Sequence, residues 1–95
     1  MAADTPPHSR ELVIVNKRGL HARASARFVE TVSGFDAVIE VEKDGVTVGG
    51  TSIMGLMMLA ASTGCSIAVR GRGPDALAAL DALEELVSSG FGEEI

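Results

Sequence analysis

The sequence predicts an α+β fold in which four strands and three helices follow one another in the order βαββαβα. Two β-forming segments flank an Asp-Gly pair, which is a strong hairpin signal, so at least part of the sheet is antiparallel. Three other segments repeat their apolar residues at helical spacing. A chain of 95 residues that is 46% hydrophobic fits one domain. The three helices therefore cover one face of the sheet in a two-layer sandwich.

The N-terminal segment, residues 1–9, contains Pro6 and Pro7 and shows no apolar periodicity, which predicts a disordered tail before a domain at residues 10–95. Residues 12–15 are a run of β-formers that is too short for a helix, so they are predicted as the first strand. The turn-like residues 16–19 end that strand.

The first helix is predicted to begin at Ala22. Ala24, Phe28 and Val32 recur every four residues and indicate a buried stripe, whereas Arg23 and Arg27 fall on the opposite face. Gly34 follows at the position of a left-handed C-cap.

Strands 2 and 3 are predicted at residues 38–42 and 46–48, joined by Asp44-Gly45. The second helix is predicted over residues 53–62, with Thr51 and Ser52 as candidate N-caps and Gly64 beyond its end. Because Gly55 lies inside it and costs about 1 kcal/mol relative to Ala, we expect this helix to be short or frayed.

The last strand is predicted at residues 65–70, and residues 71–73 are predicted as a loop. Pro74 suits the first turn of the third helix, and Gly90 is expected to end that helix. The predicted apolar stripe of this helix consists of Leu77, Leu80, Leu83 and Val87.

Composition excludes several classes of protein. The net charge is −5 and the chain has three Phe but no Tyr or Trp, which argues against a base-stacking nucleic-acid surface. The longest apolar stretch is much shorter than the roughly 20 residues of a membrane span. A single cysteine forms no internal disulfide, no Cys/His cluster has metal-ligand spacing, and no cofactor is predicted. The N-terminus lacks the pattern of a secretory signal, so we expect a cytoplasmic protein.

The segment Gly19 to Ser25 places a histidine at the start of the first helix. The first backbone N–H groups of a helix have no internal partners and carry partial positive charge, which favours anions. Arg23 adds a guanidinium suited to phosphate oxygens. Histidine is among the residues that form covalent intermediates, so His21 is a candidate phosphoryl acceptor. The alternative from the residues alone is that His21 is a weak N-cap and Arg23 a solvated charge.

Two segments resemble the signatures of the HPr family, the histidine-containing phosphocarriers of the phosphoenolpyruvate-dependent phosphotransferase system. They are Gly19-Leu20-His21-Ala22-Arg23 and the run from Thr51 to Leu59, TSIMGLMML. The resemblance extends over about residues 10–89. It implies an open-faced β-sandwich, with a four-stranded antiparallel sheet and three helices on one side.

The resemblance also implies a role for individual residues. His21 corresponds to the histidine that is phosphorylated on Nδ1 by Enzyme I and passes the group to an EIIA-type protein, without turnover of its own. Arg23 corresponds to the residue that supports the phosphoryl group. Ser52 corresponds to the regulatory site of HPr kinase/phosphorylase. Ala24 stands where the family usually has proline, and Ser33 and Gly55 stand where some sugar-transporting members have lysines, so both the sugar branch and the nitrogen-regulatory branch are open.

A partner-binding surface is expected around the first two helices. Residues 1–35 contain five basic and three acidic residues, while residues 74–95 contain six acidic and no basic ones, so a partner should bring acidic groups to the basic end. The second helix is apolar nearly all round, and Leu56 and Leu59 are expected to point inward. The predicted partner-binding residues are Leu20, Arg27, Ile53, Met54 and Met57.

A second hypothesis remains from the element order alone. A small-molecule-binding regulatory domain can have a similar βαββαβ order, and His21 would then be incidental. Incubation with phosphoenolpyruvate and Enzyme I distinguishes the two hypotheses.

Overall fold

The computed structural model describes residues 7–93 and contains the predicted elements in the predicted order. A short 3₁₀ turn at Gly90–Gly92 follows the last helix. The elements are β1 (His8–Val13), α1 (Ala22–Ser33), β2 (Val38–Lys43), β3 (Val46–Gly49), α2 (Ile53–Met58), β4 (Ser66–Arg72) and α3 (Ala76–Ser88).

The four strands form one antiparallel sheet in the order β1-β4-β2-β3. Alternate residues of each central strand are buried, as in Ile67 and Val69 of β4 and Val41 of β2. Their neighbours, such as Arg70 and Glu42, lie on the other face and form an ion pair there. This confirms the predicted open-faced sandwich, with the core between the sheet and the helices.

The β2–β3 hairpin turns at the predicted Asp44-Gly45 pair. Both residues have positive φ, at 52° and 82°, which are the conformations that a tight two-residue hairpin requires. The pairing of Lys43 with Val46 follows directly from this turn.

The buried cluster between sheet and helices consists mainly of aliphatic side chains with two phenylalanines. Phe28 of α1 and Phe91 after α3 are both fully buried. The buried members of α3 include Leu80, Leu83 and Val87, as predicted, but Leu77 is 52% exposed. Ala76 and Ala79 are buried instead of Leu77, because the helix packs closely against β1 and β4 and small side chains fit in the space between them.

The N-terminal boundary was predicted wrongly. His8 and Ser9 pair with Gly71 and Arg70 of β4, so the ordered strand begins inside the segment assigned to the tail. Backbone hydrogen bonds to β4 order these polar residues, and such bonds cannot be recognised from the periodicity of apolar side chains. The predicted strand 1 ran to residue 15, whereas β1 ends at Val13. Residues 1–6 of the predicted tail lie outside the described residues.

The loop predicted at residues 71–73 is also wrong in part. Gly71 and Arg72 belong to β4, where Gly71 is paired with His8 on one side and Ile39 on the other. A Cβ at Gly71 would lie 2.9 Å from the Ile39 side chain, so the absence of one permits close packing here.

Three helix ends differ from the prediction. Helix α2 ends at Met58 rather than residue 62, because Ala60 has a left-handed φ of 54° that stops the helix. Pro74 precedes α3 instead of lying in its first turn, since Asp75 is the N-cap. Gly34 caps α1 with φ −82° and is therefore not in the left-handed conformation. No helix within residues 7–93 is long and apolar enough to cross a membrane.

Candidate functional site

The segment before α1 is a tight turn that is fixed from both sides. The amide of Gly19 donates to the carbonyl of Asn16 at 3.2 Å, and Nδ2 of the buried Asn16 donates back to the Gly19 carbonyl at 3.0 Å. The next amide, that of Leu20, donates to the carbonyl of Ala61 beyond α2 at 2.9 Å. These hydrogen bonds hold in place the backbone that leads into His21, before α1 begins.

His21 is the N-cap of α1, with extended backbone at φ −77° and ψ −178°. Its carbonyl accepts the first helical hydrogen bond, from the Ser25 amide at 2.8 Å. Its ring atom Nδ1 accepts from the Arg23 amide at 3.3 Å. The side chain therefore folds back over the first turn, and Nδ1 lies at the positive end of the helix.

The second ring nitrogen of His21 contacts a residue that the sequence did not indicate. Nε2 lies 2.5 Å from Oε2 of Glu93, and both side chains are largely buried. The other carboxylate oxygen, Oε1, accepts from Nδ2 of Asn16 at 3.0 Å. The hydrogen bond from Asn16 is the main cause that lowers the pKa of the Glu93 carboxyl from its usual value, and the contact with His21 lowers it further against the opposing effect of burial.

Glu93 reaches the site through a short hook after α3. Gly90 has φ 69° and Phe91 φ 58°, which turns the chain back toward α1. The Phe91 side chain is fully buried, and its carbonyl accepts from Nη1 of Arg27 at 2.8 Å. The sequence signal for this hook is Phe91, a large apolar residue between two glycines just after the end of α3. That signal does not indicate where the Glu93 carboxylate points.

A basic pocket of about 340 Å³ lies beside the site, and Glu93 forms part of its wall. Its remaining lining residues are Lys17, Arg18, Arg23, Arg27 and Gly92. Four positive side chains on the turn and on α1 therefore converge next to the helix start. This arrangement attracts anions, and it brings together the predicted Arg23 and Arg27.

Ser52 lies at the start of α2, outside the lining of the basic pocket. Its Oγ accepts from the Gly55 amide at 2.9 Å, which confirms the predicted N-cap. The segment that follows α2 contacts the site, since the Ala61 carbonyl accepts from the amide of Leu20, the residue before His21.

The surface of α2 is apolar and exposed, as expected. Leu56 and Leu59 are buried, whereas Ile53, Met54 and Met57 are exposed. Met58, which was not assigned to the surface patch, is 75% exposed. These four exposed residues are called the α2 patch below.

Leu20 was predicted to bind partners, and that prediction is wrong. Its side chain is only 4% exposed and belongs to the buried cluster. The turn that bonds Leu20 to Ala61 directs its side chain into the core, so the residue supports the site from inside the fold.

Comparison with known proteins gives one consistent result. The family model described as the PTS HPr component phosphorylation site matches residues 8–89. The chain is 43% identical over 84 residues to the phosphocarrier protein HPr of Cupriavidus necator, covering 88% of this chain and 94% of that protein. It is 46% identical to the HPr of Neisseria meningitidis with the same coverage. A crystal structure of HPr-C-His from Thermoanaerobacter tengcongensis superposes with a TM-score of 0.88 at 44% identity, covering 93% and 99% of the two chains.

Proposed function

Because the chain belongs to the HPr family and is a phosphocarrier of the phosphotransferase system, we propose that Nδ1 of His21 carries the phosphoryl group. Phospho-Enzyme I is the donor, phosphoenolpyruvate the original source, and an EIIA-type protein the acceptor. One observation carries this proposal: Nδ1 accepts a hydrogen bond at the start of α1, so it bears a lone pair where an anion is favoured.

The hydrogen bonds of the ring assign its tautomer. Nε2 faces a carboxylate, which accepts only, and Nδ1 faces a backbone N–H, which donates only. The proton is therefore on Nε2 and the lone pair on Nδ1. In the transfer, the Nδ1 lone pair attacks phosphorus and forms the N–P bond. The bond from phosphorus to the donor breaks, and its electron pair stays on the donor.

The first turn of α1 is suited to the transferred group. The helical hydrogen bonds begin with the Ser25 amide, so the three amides before it precede the helical ladder and face outward from its end. A phosphoryl group on Nδ1 meets this end of the helix and the guanidinium of Arg23. Arg23 is accordingly proposed to stabilise the charge that is carried between donor and acceptor.

Ser52 is proposed as a regulatory site, modified by HPr kinase/phosphorylase. Its hydroxyl already caps α2, and a phosphate there would meet the same amide groups, so the fold accommodates the modification. The added charge would lie at the edge of the α2 patch and act on the partners that bind there.

Partners are proposed to bind across the basic pocket and the α2 patch. Arg27 lines the pocket, while Ile53, Met54 and Met57 offer an apolar surface with adaptable thioethers. Enzyme I and the EIIA-type protein are expected to share this surface, since both must reach His21. A cytoplasmic location is proposed because these partners take part in the same transfer.

The experiment uses the two histidines of the chain as a matched pair. His21→Ala and His8→Ala are each incubated with Enzyme I and phosphoenolpyruvate, and acid-labile phosphate is measured by mass. His8 lies in β1, so its variant should be labelled like the wild type, while His21→Ala should remain folded and unlabelled. Label on His21→Ala at the wild-type level would refute the proposal.

A further inference from the structure

The carboxylate of Glu93 is held by a contact to each of its two oxygens. One oxygen accepts from the fully buried Asn16 and the other lies 2.5 Å from Nε2 of His21. The hook that carries it is anchored by the buried Phe91 and by Arg27. Three residues from separate parts of the chain, Asn16, Arg27 and Phe91, thus hold this carboxylate against the His21 ring.

We infer that Glu93 is a positioning residue for phosphotransfer, which keeps the Nε2 proton on the His21 ring both before and after the phosphoryl group arrives. This inference rests on the proposed function of His21. A buried carboxylate bonded to one imidazole nitrogen fixes the tautomer and ring orientation and stabilises the charged ring, as in other carboxylate–histidine pairs.

The balance of the step shows why a retained proton matters. When Nδ1 forms its bond to phosphorus, the ring keeps the Nε2 proton and gains a formal positive charge, which the Glu93 carboxylate offsets. When the group moves on, the N–P bond electrons return to Nδ1 and a neutral imidazole leaves. Loss of the Nε2 proton would make the leaving group an imidazolate anion, which departs far more slowly. No proton has to move in either direction of transfer.

A phosphorylated ring would carry its positive charge beside a cluster of positive side chains, which makes a nearby carboxylate more important. Lys17, Arg18, Arg23 and Arg27 line the pocket beside the site, and like charges repel each other. Within residues 7–93, Glu93 is the acidic residue among the lining groups of this pocket.

Proton NMR of the unphosphorylated protein provides the first test. Because Nε2–H is bonded to a carboxylate, the wild type should show a downfield ring N–H resonance protected from exchange with water. Glu93→Ala should lose it through exchange, and Glu93→Gln should retain it farther upfield, since the amide oxygen still accepts. The control Glu85→Gln, on the exposed side of α3, removes the same charge elsewhere and should match the wild type.

The pH profile of phosphohistidine hydrolysis provides the second test, after loading with Enzyme I and phosphoenolpyruvate. Hydrolysis is fast while the ring keeps its Nε2 proton and slow once that proton is lost. Removing the carboxylate destabilises the protonated ring, so in Glu93→Ala and Glu93→Gln the midpoint should move to lower pH by about 1 unit. At a pH above both midpoints, the half-life of the phosphohistidine should then be up to about tenfold longer in the Glu93 variants than in the wild type.

The two proposals fail in different ways. If wild-type protein takes up no acid-labile phosphate, the function proposed for His21 fails. If the wild type is labelled normally but Glu93→Ala keeps the protected resonance and both Glu93 variants keep the wild-type pH profile, the role of Glu93 is refuted and the function of His21 stands.

Discussion

Gly19 and Ala61 approach each other so closely that a side chain at residue 19 has no space. A Cβ on Gly19 would lie 2.2 Å from the Ala61 carbonyl oxygen, and Gly19 has φ +63°. The following amide, of Leu20, donates to the same carbonyl at 2.9 Å. The glycine therefore allows the turn that presents His21 to rest directly on the backbone beyond α2.

Gly19→Ala should consequently lower the free energy of unfolding and slow phosphoryl uptake. Gly45→Ala is the matched control, because Gly45 has φ +82° but nothing lies within 4 Å of its Cβ position. We expect a loss of about 1 kcal/mol for the control from backbone strain alone, and at least about twice that for Gly19→Ala because the backbone must also shift. Urea unfolding measures both; equal losses would contradict the close contact.

The elements that sequence patterns predicted are those whose signals are local. The hairpin at Asp44-Gly45 and the N-cap at Ser52 depend on residues within four positions of each other, and both are confirmed. The strand pairing of His8 and Ser9 depends on β4, some sixty residues later. Such backbone pairing leaves no trace in side-chain periodicity.

Only part of the functional site could be predicted, because only part of it depends on residues that are close together in the sequence. His21 and Arg23 lie at a helix start that the apolar stripe of α1 revealed. Glu93 contacts His21 across 72 residues, through a hook whose left-handed Phe91 no helical pattern predicts. Leu20 was predicted to bind partners, but its side chain is buried in the core and its amide is bonded to the Ala61 carbonyl.

Arg23→Ala should slow phosphotransfer about tenfold to a thousandfold, because the proposed charge-assisted contact to the phosphoryl group would be lost in the transition state. Arg72→Ala, which removes the same charge from an exposed position in β4, should leave the rate unchanged. Rapid-quench measurement of phosphoryl uptake from phospho-Enzyme I compares the two. Similar slowing in both variants would mean that only the overall charge matters.

The pKa of Glu93 is lowered in the folded protein, mainly by the Asn16 hydrogen bond, and this predicts the acid sensitivity of the fold. A lowered carboxyl pKa contributes stability that is present above the unfolded value of about 4.3 and is lost as the pH falls through the folded value. The difference in melting temperature between the wild type and Glu93→Gln should therefore shrink below about pH 4. A difference between the wild type and Glu93→Gln that stays constant over this pH range would contradict the shift.

Ser52 variants should separate stability from partner binding. Ser52→Ala loses the cap on the Gly55 amide and should cost about 1 kcal/mol, with little change in affinity for Enzyme I. Ser52→Asp keeps an acceptor at the cap and should retain the melting temperature, while its charge weakens Enzyme I binding. Calorimetry and thermal unfolding on both variants measure the two effects; equal affinities for Ser52→Asp and the wild type would refute the regulatory role.

The α2 patch can be tested against an apolar residue of similar exposure elsewhere in the fold. Met54 is 71% exposed on α2 and Leu77 is 52% exposed on α3, so neither contributes much to the core. Met54→Glu should leave the melting temperature nearly unchanged but weaken Enzyme I binding by about tenfold or more, because a charge would replace an apolar contact in the proposed interface. Leu77→Glu introduces the same charge on α3 and should bind Enzyme I like the wild type. If titration calorimetry shows the greater loss for Leu77→Glu, the partner approaches α3 and the surface assigned to α2 is wrong.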